Sequence, residues 1–141
     1  MPVITPPSVN DVGTLLRART VDQDGNEIGT FDSTTRPTGE QVESYISQAI
    51  DEITTRVGES LFREEYASNA SNLAAIRAAM TIELSHYPEQ VNNGTSSFDQ
   101  LSTLYETGVQ ALADAVRDGS PTRKGFFSIV TRSSAAADSE N

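Results

Sequence analysis

Apolar side chains recur every three or four residues between positions 42 and 57, and this spacing constrains the fold more than any other feature. An α-helix places such positions on one face, which must be buried against other elements. The stripe consists of Val42, Ile46, Ala49, Ile50, Ile53 and Val57. Thr38 and Gln41 match a capping box, and Gly58 is suited to end a helix. The pattern therefore predicts an amphipathic helix of about 20 residues, which is about 30 Å long.

Two other stretches have the same spacing. Residues 98–116 carry an apolar stripe that follows a second capping-box pattern at Ser97 and Gln100. Residues 9–19 follow Ser8, a favourable N-cap residue, and predict a short helix. Both stretches add a helix with one face to bury.

Residues 59–87 predict another long helix, which Pro88 ends. Its expected buried positions are Leu61, Phe62, Tyr66, Ala70, Leu73, Ala74, Ile76, Arg77, Met80 and Leu84. The Ser- and Asn-rich residues 68–72 predict a kink or a restart, because these side chains compete for backbone hydrogen bonds. Residues 73–84 are rich in Ala, so other helices can approach this segment closely from several sides.

Residues 20–37 connect the first two predicted helices and lack helical spacing. Asp24, Gly25 and Asn26 favour a turn, with short β-capable stretches on each side. The large apolar residues of this segment are Val21, Ile28 and Phe31. The segment is therefore either a long loop or an exposed hairpin, and long loops in small domains often carry function.

These elements predict an all-α fold, a small bundle of three to four helices. A long loop or β-hairpin at 20–37 joins the first two helices, and an extended tail follows the last one. We expect an N-terminal arm at residues 1–7, one helical domain at 8–119, and a partly disordered tail at 120–141.

The composition argues against an enzyme. The chain has no Cys, one His and one Lys, which excludes thiolate chemistry and a metal site made of several His residues from one chain. We expect no cofactor, no metal and no catalytic residue; an all-carboxylate hydrolase is the enzymatic alternative that the sequence leaves open. His86 near a helix end is interpreted either as a cation at the helix C-terminus or as a packed side chain.

Asp22, Asp24 and Asn26 have the spacing that begins a calcium-binding loop. Such a loop needs Gly at its sixth position and Glu at its twelfth. Glu27 and Ser33 occupy those positions here. The sequence therefore favours an ordinary turn over a calcium site.

Negative charge dominates the helical part of the chain. The formal net charge is −10, and residues 38–118 contain thirteen acids but four bases. Such a surface repels nucleic acid, so we do not expect sequence-specific DNA binding. Apolar runs are too short for a membrane span, and the N-terminus lacks the pattern of a secretory signal. We therefore expect no membrane partner and assembly in a cytoplasm.

The tail contains a short apolar run within a polar segment. Its members are Phe126, Phe127, Ile129 and Val130. Such side chains need to be buried. The run either folds back on the bundle or adds to a neighbouring chain, as a strand or as an apolar anchor.

Three motifs of this sequence occur together in one known group of proteins. A loop that reads RT…G…GTF…TRPT follows a short first helix, and an Ile/Val-rich helix follows the loop. An Ala-rich helix then ends in IE…S…PEQ. Over about residues 8–116 the chain resembles the head-to-tail adaptor (head-completion) proteins of long-tailed phages, in particular those of phages that infect actinobacteria.

The resemblance implies a structural virion protein at the head–tail junction, assembled in the host cytoplasm. Adaptors of this kind form a ring, usually a dodecamer, beneath the portal protein and present a platform for the stopper and tail proteins. The ring extends the DNA channel, through which DNA passes without sequence-specific binding. An acidic channel wall would keep DNA from sticking.

The resemblance also suggests roles for loop residues. Val21, Ile28, Phe31 and Arg36 are predicted contacts to other subunits or to the portal, and Arg36 is a candidate to pair with an acid on the next helix. Phe31 has an alternative role as part of the bundle core. The alternative function is a small helical interaction or regulatory module without a virion role, which would remain a monomer or dimer.

Overall fold

Helices make up most of the chain in the computed structural model, which describes residues 5–58 and 64–118. The helices in these residues are α1 (Val9–Leu15), α2 (Gly39–Val57), α3 (Glu64–His86), α4 (Pro88–Asn92) and α5 (Phe98–Asp118), with a 3-10 turn at Arg17–Arg19. The all-α class is confirmed. The expected number of three to four helices is too low, because a further helix of five residues begins at Pro88.

Helix α2 has the bounds and the capping that the sequence predicts. The Thr38 hydroxyl oxygen accepts the Gln41 N–H at 3.3 Å, and the Gln41 side chain accepts the Thr38 N–H at 2.9 Å. Gly58 ends the helix with φ of +99°. The buried stripe contains Val42, Ile46, Ala49 and Ile53, whereas Ile50 and Val57 are partly buried.

Helix α3 is the centre of the bundle. Helices α2, α5 and α1 all contact it, α2 and α5 more extensively than α1. Its buried residues occur on all sides, and many of them are small: Tyr66, Ala70, Leu73, Ala74, Ala75, Ile76, Ala78, Ala79, Met80, Ile82 and Glu83. The Ala side chains let neighbouring backbones approach from several directions, as their frequency in the sequence suggests.

The restart offered for α3 does not occur, and one predicted core residue is exposed. The helix continues through residues 68–72 without a restart, because Ala70 and Leu73 are fully buried while Ser68 and Asn72 face solvent, so packing outweighs a weak local preference. Leu84, expected in the core, is 46% exposed. It lies in the last turn, where this face of the helix is left uncovered.

A polar cluster joins the three long helices on one side. Glu52 of α2 accepts hydrogen bonds from Arg77 Nε of α3 at 3.1 Å and from the Tyr105 hydroxyl of α5. Burial and the bond to Glu52 raise the pKa of Tyr105 above its usual range. Burial by itself would raise the pKa of Glu52, but the bonds from Tyr105 and Arg77 lower it. Arg56 of α2 and Glu106 of α5 add an ion pair at 2.9 Å.

The predicted arm and tail are described only in small part. Of residues 1–7 the structure describes 5–7, and Pro7 is buried. The apolar run at Phe126, Phe127, Ile129 and Val130 lies outside the described residues, as does the rest of 120–141. None of the helices within the described ranges is both long enough and apolar enough to cross a membrane.

Leu73→Ala and Leu84→Ala form a matched pair on α3 that tests this packing. Leu73 is fully buried and Leu84 is largely exposed, so we expect the first substitution to lower the free energy of unfolding by about 2–5 kcal/mol and the second by about 0.5 kcal/mol or less. Urea unfolding followed by far-UV circular dichroism measures both. Equal losses would contradict the central position of α3.

Candidate functional site

The segment that joins the first helices to α2 folds back on itself at its start. Thr20 is 1% exposed, and its carbonyl oxygen accepts the N–H groups of Ile28 at 2.9 Å and Gly29 at 3.3 Å. Single antiparallel β-bridges join Val21 to Glu27 and Asp22 to Thr35. The residues between the 3-10 turn and α2 thus form an irregular loop with two isolated bridges. We call residues 20–38 the connecting loop.

Asp22 holds the tip of the connecting loop in a tight turn. Its Oδ1 atom accepts the N–H groups of Asp24 at 2.9 Å and Asn26 at 2.8 Å, and its Oδ2 accepts the Asn26 side-chain amide at 3.1 Å. The hydrogen bonds from Asn26 lower the pKa of Asp22. Gly25 supplies the positive φ of +86° that the turn requires. The carboxylate therefore has the turn role that the sequence favours over calcium binding.

A second turn fixes the other arm of the connecting loop. Asp32 Oδ1 accepts the N–H of Thr34 at 2.7 Å and its hydroxyl at 2.6 Å, and these bonds lower the pKa of Asp32. Thr35 is buried, and its hydroxyl lies 2.7 Å from the Pro37 carbonyl oxygen. The loop is thus held by its own side chains before it enters α2.

Phe31 attaches the middle of the connecting loop to the bundle. Its side chain is 3% exposed and belongs to the core. Two glycines let the loop lie close to the helices. A Cβ atom at Gly39 would lie 2.9 Å from the Phe31 carbonyl oxygen, and a Cβ atom at Gly13 would lie 3.2 Å from the Thr20 methyl group. The core role that the sequence offered as an alternative for Phe31 is the one the structure shows.

The other predicted contact residues differ in exposure. Ile28 is 36% exposed. Val21 is half-buried, and Arg36 is exposed. Arg36 does not meet an acid among the described residues; its Nη2 donates to the His86 carbonyl oxygen at 3.1 Å. The pairing predicted for Arg36 is therefore corrected, since a helix-end carbonyl is its partner.

Both ends of the connecting loop meet at the end of α3. We call the side chains that interact there the anchor cluster. Its members are Arg19, Arg36, Tyr45, Glu83, His86, Tyr87 and Ser96. Arg19 pairs with Glu83 through two hydrogen bonds of 2.9 Å, and the Ser96 hydroxyl donates to Glu83 at 2.6 Å. The Arg19 guanidinium carbon lies 3.9 Å from the centre of the Tyr87 ring. The Tyr87 hydroxyl donates to the Arg36 carbonyl oxygen at 2.6 Å.

The Glu83 side chain is 1% exposed and yet charged. Burial by itself would raise the pKa of Glu83, but the bonds from Arg19 and Ser96 lower it. The bond to Glu83 in turn raises the pKa of Arg19. A buried charge is tolerated only with such partners, so the pair fixes the 3-10 turn against α3.

His86 occupies the helix end as the sequence predicts, but its surroundings disfavour a cation. Its Nε2 atom lies 2.9 Å from the Tyr45 hydroxyl of α2. Burial and the charge of Arg36 lower the pKa of His86 below its ordinary value of 6.5. The structure therefore supports the packed, neutral interpretation of this histidine.

Sequence reasoning missed most of the anchor cluster. The Arg19–Glu83 pair joins residues 64 positions apart, which no local pattern reveals. The available signal is the acid itself, because Glu83 interrupts an Ala-rich apolar run between Ile82 and Leu84. An acid at such a position implies a buried partner.

The described residues contain no group of three or more His, Cys, Asp and Glu side chains that could hold a metal ion. Comparisons with protein-family models, with curated proteins and with solved structures found no match. The case for a function therefore rests on the chain's own residues: a loop of fixed shape that carries an exposed apolar side chain.

Glu83→Gln and Glu89→Gln test the anchor cluster. Glu83→Gln removes the charge that Arg19 faces, so we expect a loss of about 1–3 kcal/mol in the free energy of unfolding. Glu89 is exposed at the start of α4, so the matched change should cost about 0.5 kcal/mol or less. Chemical denaturation measures both values. Near-equal effects would contradict the structural role of Glu83.

His86 should also make stability depend on pH. Its pKa is lower in the folded protein than its ordinary value of 6.5, so the unfolded chain binds more protons and stability falls as pH drops from about 7 towards 5. His86→Gln removes the only histidine of the sequence. The urea midpoint of this variant should therefore change less with pH over this range. Glu83 and Glu52 have pKa values lowered from 4.5, so their contribution to stability is lost only at lower pH. An unchanged slope in the variant would contradict this assignment.

Proposed function

We propose that this chain is the subunit of a head-to-tail adaptor ring, which sits between the portal protein and the stopper and tail proteins of a long-tailed phage. The ring is expected to have about twelve copies, as the resemblance implies, and to extend the DNA channel at the head–tail junction. The observation that carries the proposal is the connecting loop, whose shape is fixed by the bundle while Ile28 remains exposed at its surface.

The residues of the family-like motifs are the ones that fix this shape, and this supports the proposal. In the segment RT…G…GTF…TRPT, Arg19 pairs with Glu83, Thr20 closes the fold-back, and Phe31 enters the core. Gly25 supplies a turn, and Thr38 caps α2. In IE…S…PEQ, the acid is Glu83 itself. The motif residues thus belong to one connected part of the structure.

A loop of fixed shape suits a docking element. Binding costs less free energy when the contact surface is ordered beforehand. Ile28 and the half-buried Val21 lie on the arms that flank the Asp22 turn, so they form the apolar part of the proposed contact to the portal or to a neighbouring subunit. Arg36, at the base, adds an exposed positive charge.

The acidic helices suit the wall of a channel. Glu40, Glu43 and Asp51 on α2 are exposed, as are Glu106 and Asp118 on α5. A wall of this charge would repel passing DNA and prevent it from binding.

Neutral substitutions at these positions should slow DNA ejection if the faces line the channel. Unchanged ejection would assign the acids to the outer surface.

Electron microscopy tests the proposal directly. The purified full-length protein is mixed with the portal protein encoded in the same genome and imaged in negative stain. We expect rings stacked coaxially on the portals. Bare portals beside small free particles, at a large excess of this protein, would contradict portal binding and favour the alternative of a helical interaction module that stops at a monomer or dimer.

Ile28→Ser and Leu84→Ser provide a matched test of the loop contact. Both residues are large, apolar and exposed, but only Ile28 lies on the connecting loop. We expect Ile28→Ser to weaken binding to the portal or ring assembly by about tenfold or more, because one buried aliphatic side chain contributes about 1.5–3 kcal/mol, and Leu84→Ser to have little effect. Sedimentation with portal measures both. Equal binding by the two variants would remove the connecting loop from the contact.

A further inference from the structure

An open apolar groove lies between α1 and α3. It has a volume of about 420 Å³ and is lined by Pro7, Asp11, Leu15, Ala75 and Ile76, among others. Leu15 is 39% exposed there. Clefts of this size are common binding sites for apolar groups, and no described part of the chain fills this one.

We propose that the groove takes the apolar run Phe126–Val130 (Phe126, Phe127, Ile129 and Val130) from a second copy of this chain. From the sequence, this run either folds back on the bundle or adds to a neighbouring chain, and it lies outside the described residues. One copy then offers its groove and the next offers its tail. This contact joins two different surfaces of neighbouring copies. Only its biological role depends on the proposed function.

The charges of the two surfaces are complementary. Arg123, Lys124 and Arg132 flank the apolar run closely on both sides. Asp11 lies on the wall of the groove, and Glu43 lines the adjoining groove on the other side of Pro7. Attraction between these groups would orient an apolar segment that is otherwise free to bind in either direction.

The position of the last described turn of α5 favours a second copy over the same chain. Tyr66 of α3 donates to the carbonyl oxygen of Ala115, near the end of α5, at 3.4 Å. Tyr66 and Ala75 are nine residues apart, which is two and a half helical turns, so they project from opposite sides of α3. The eight residues from Asp118 to Phe126 span at most about 29 Å. This is the full length available to join the end of α5 to a groove on the other side of α3.

A head-to-tail contact joins two different surfaces, and this is the kind of contact that a ring needs. Contacts between two copies of the same patch stop at a dimer, whereas contacts between unlike surfaces continue until a ring closes. The groove and the apolar run are such a pair. Portal binding through the connecting loop uses a separate part of the chain.

A peptide tests whether the groove takes this segment. The receptor is the full chain carrying Phe126→Ser and Phe127→Ser, so that its own tail does not compete, and the probe is a fluorescent peptide of residues 121–133. We expect saturable binding by fluorescence polarisation, about tenfold weaker with Leu15→Ser added and unchanged with Leu84→Ser added. No binding, equal binding of a scrambled peptide, or equal loss with Leu84→Ser would overturn the proposal.

Mixing two full-length variants tests whether the contact joins separate copies. Leu15→Ser has an intact tail, and Phe126→Ser/Phe127→Ser has an intact groove. By analytical ultracentrifugation we expect each variant alone to be monomeric and the mixture to form one-to-one pairs that grow no further. Variants that assemble as the unmodified chain does, or a mixture that stays monomeric, would overturn the contact between copies. If the unmodified protein still forms rings on the portal, these outcomes overturn only the contact between groove and tail, and the proposed function is retained.

Discussion

The buried carboxylate of Glu83 is the constraint on which the geometry of the connecting loop depends. A charge that is 1% exposed has to be met by partners in fixed positions. Arg19 and Ser96 are these partners, so the 3-10 turn and the start of α5 must both meet the end of α3. Arg19 also lies on the ring of Tyr87, whose hydroxyl holds the backbone of Arg36. One buried charge therefore fixes both ends of the loop.

The fixed loop connects the fold to the proposed function. Its base is fixed by the anchor cluster, its middle by Phe31, and its tip by Asp22, while Ile28 remains exposed. A protein that joins other proteins needs such preformed surfaces more than a reactive pocket. The groove beside α1 is proposed as a second such surface, and different residues line it.

The sequence predicts those parts of the structure that depend on local spacing. Helix α2 follows from its stripe and its capping box, and the Asp22 turn follows from Gly25 and Asn26. The unbroken course of α3 through residues 68–72 depends on burial by other helices, so a local rule against Ser and Asn gave the wrong result. The Arg19–Glu83 pair and the position of Phe31 depend on contacts across the chain, which spacing does not encode.

Hydrogen exchange of loop amides in the free protein, followed by NMR, most directly tests the claim that the connecting loop is formed before any partner binds. The Ile28 N–H donates to the carbonyl oxygen of Thr20, whereas the N–H of Gln23 has no acceptor among the described residues. The account predicts that the Ile28 amide exchanges at least about a hundredfold more slowly than the Gln23 amide, after correction for intrinsic rates. Equal protection of the two amides would contradict it, because the loop would then acquire its shape only on binding.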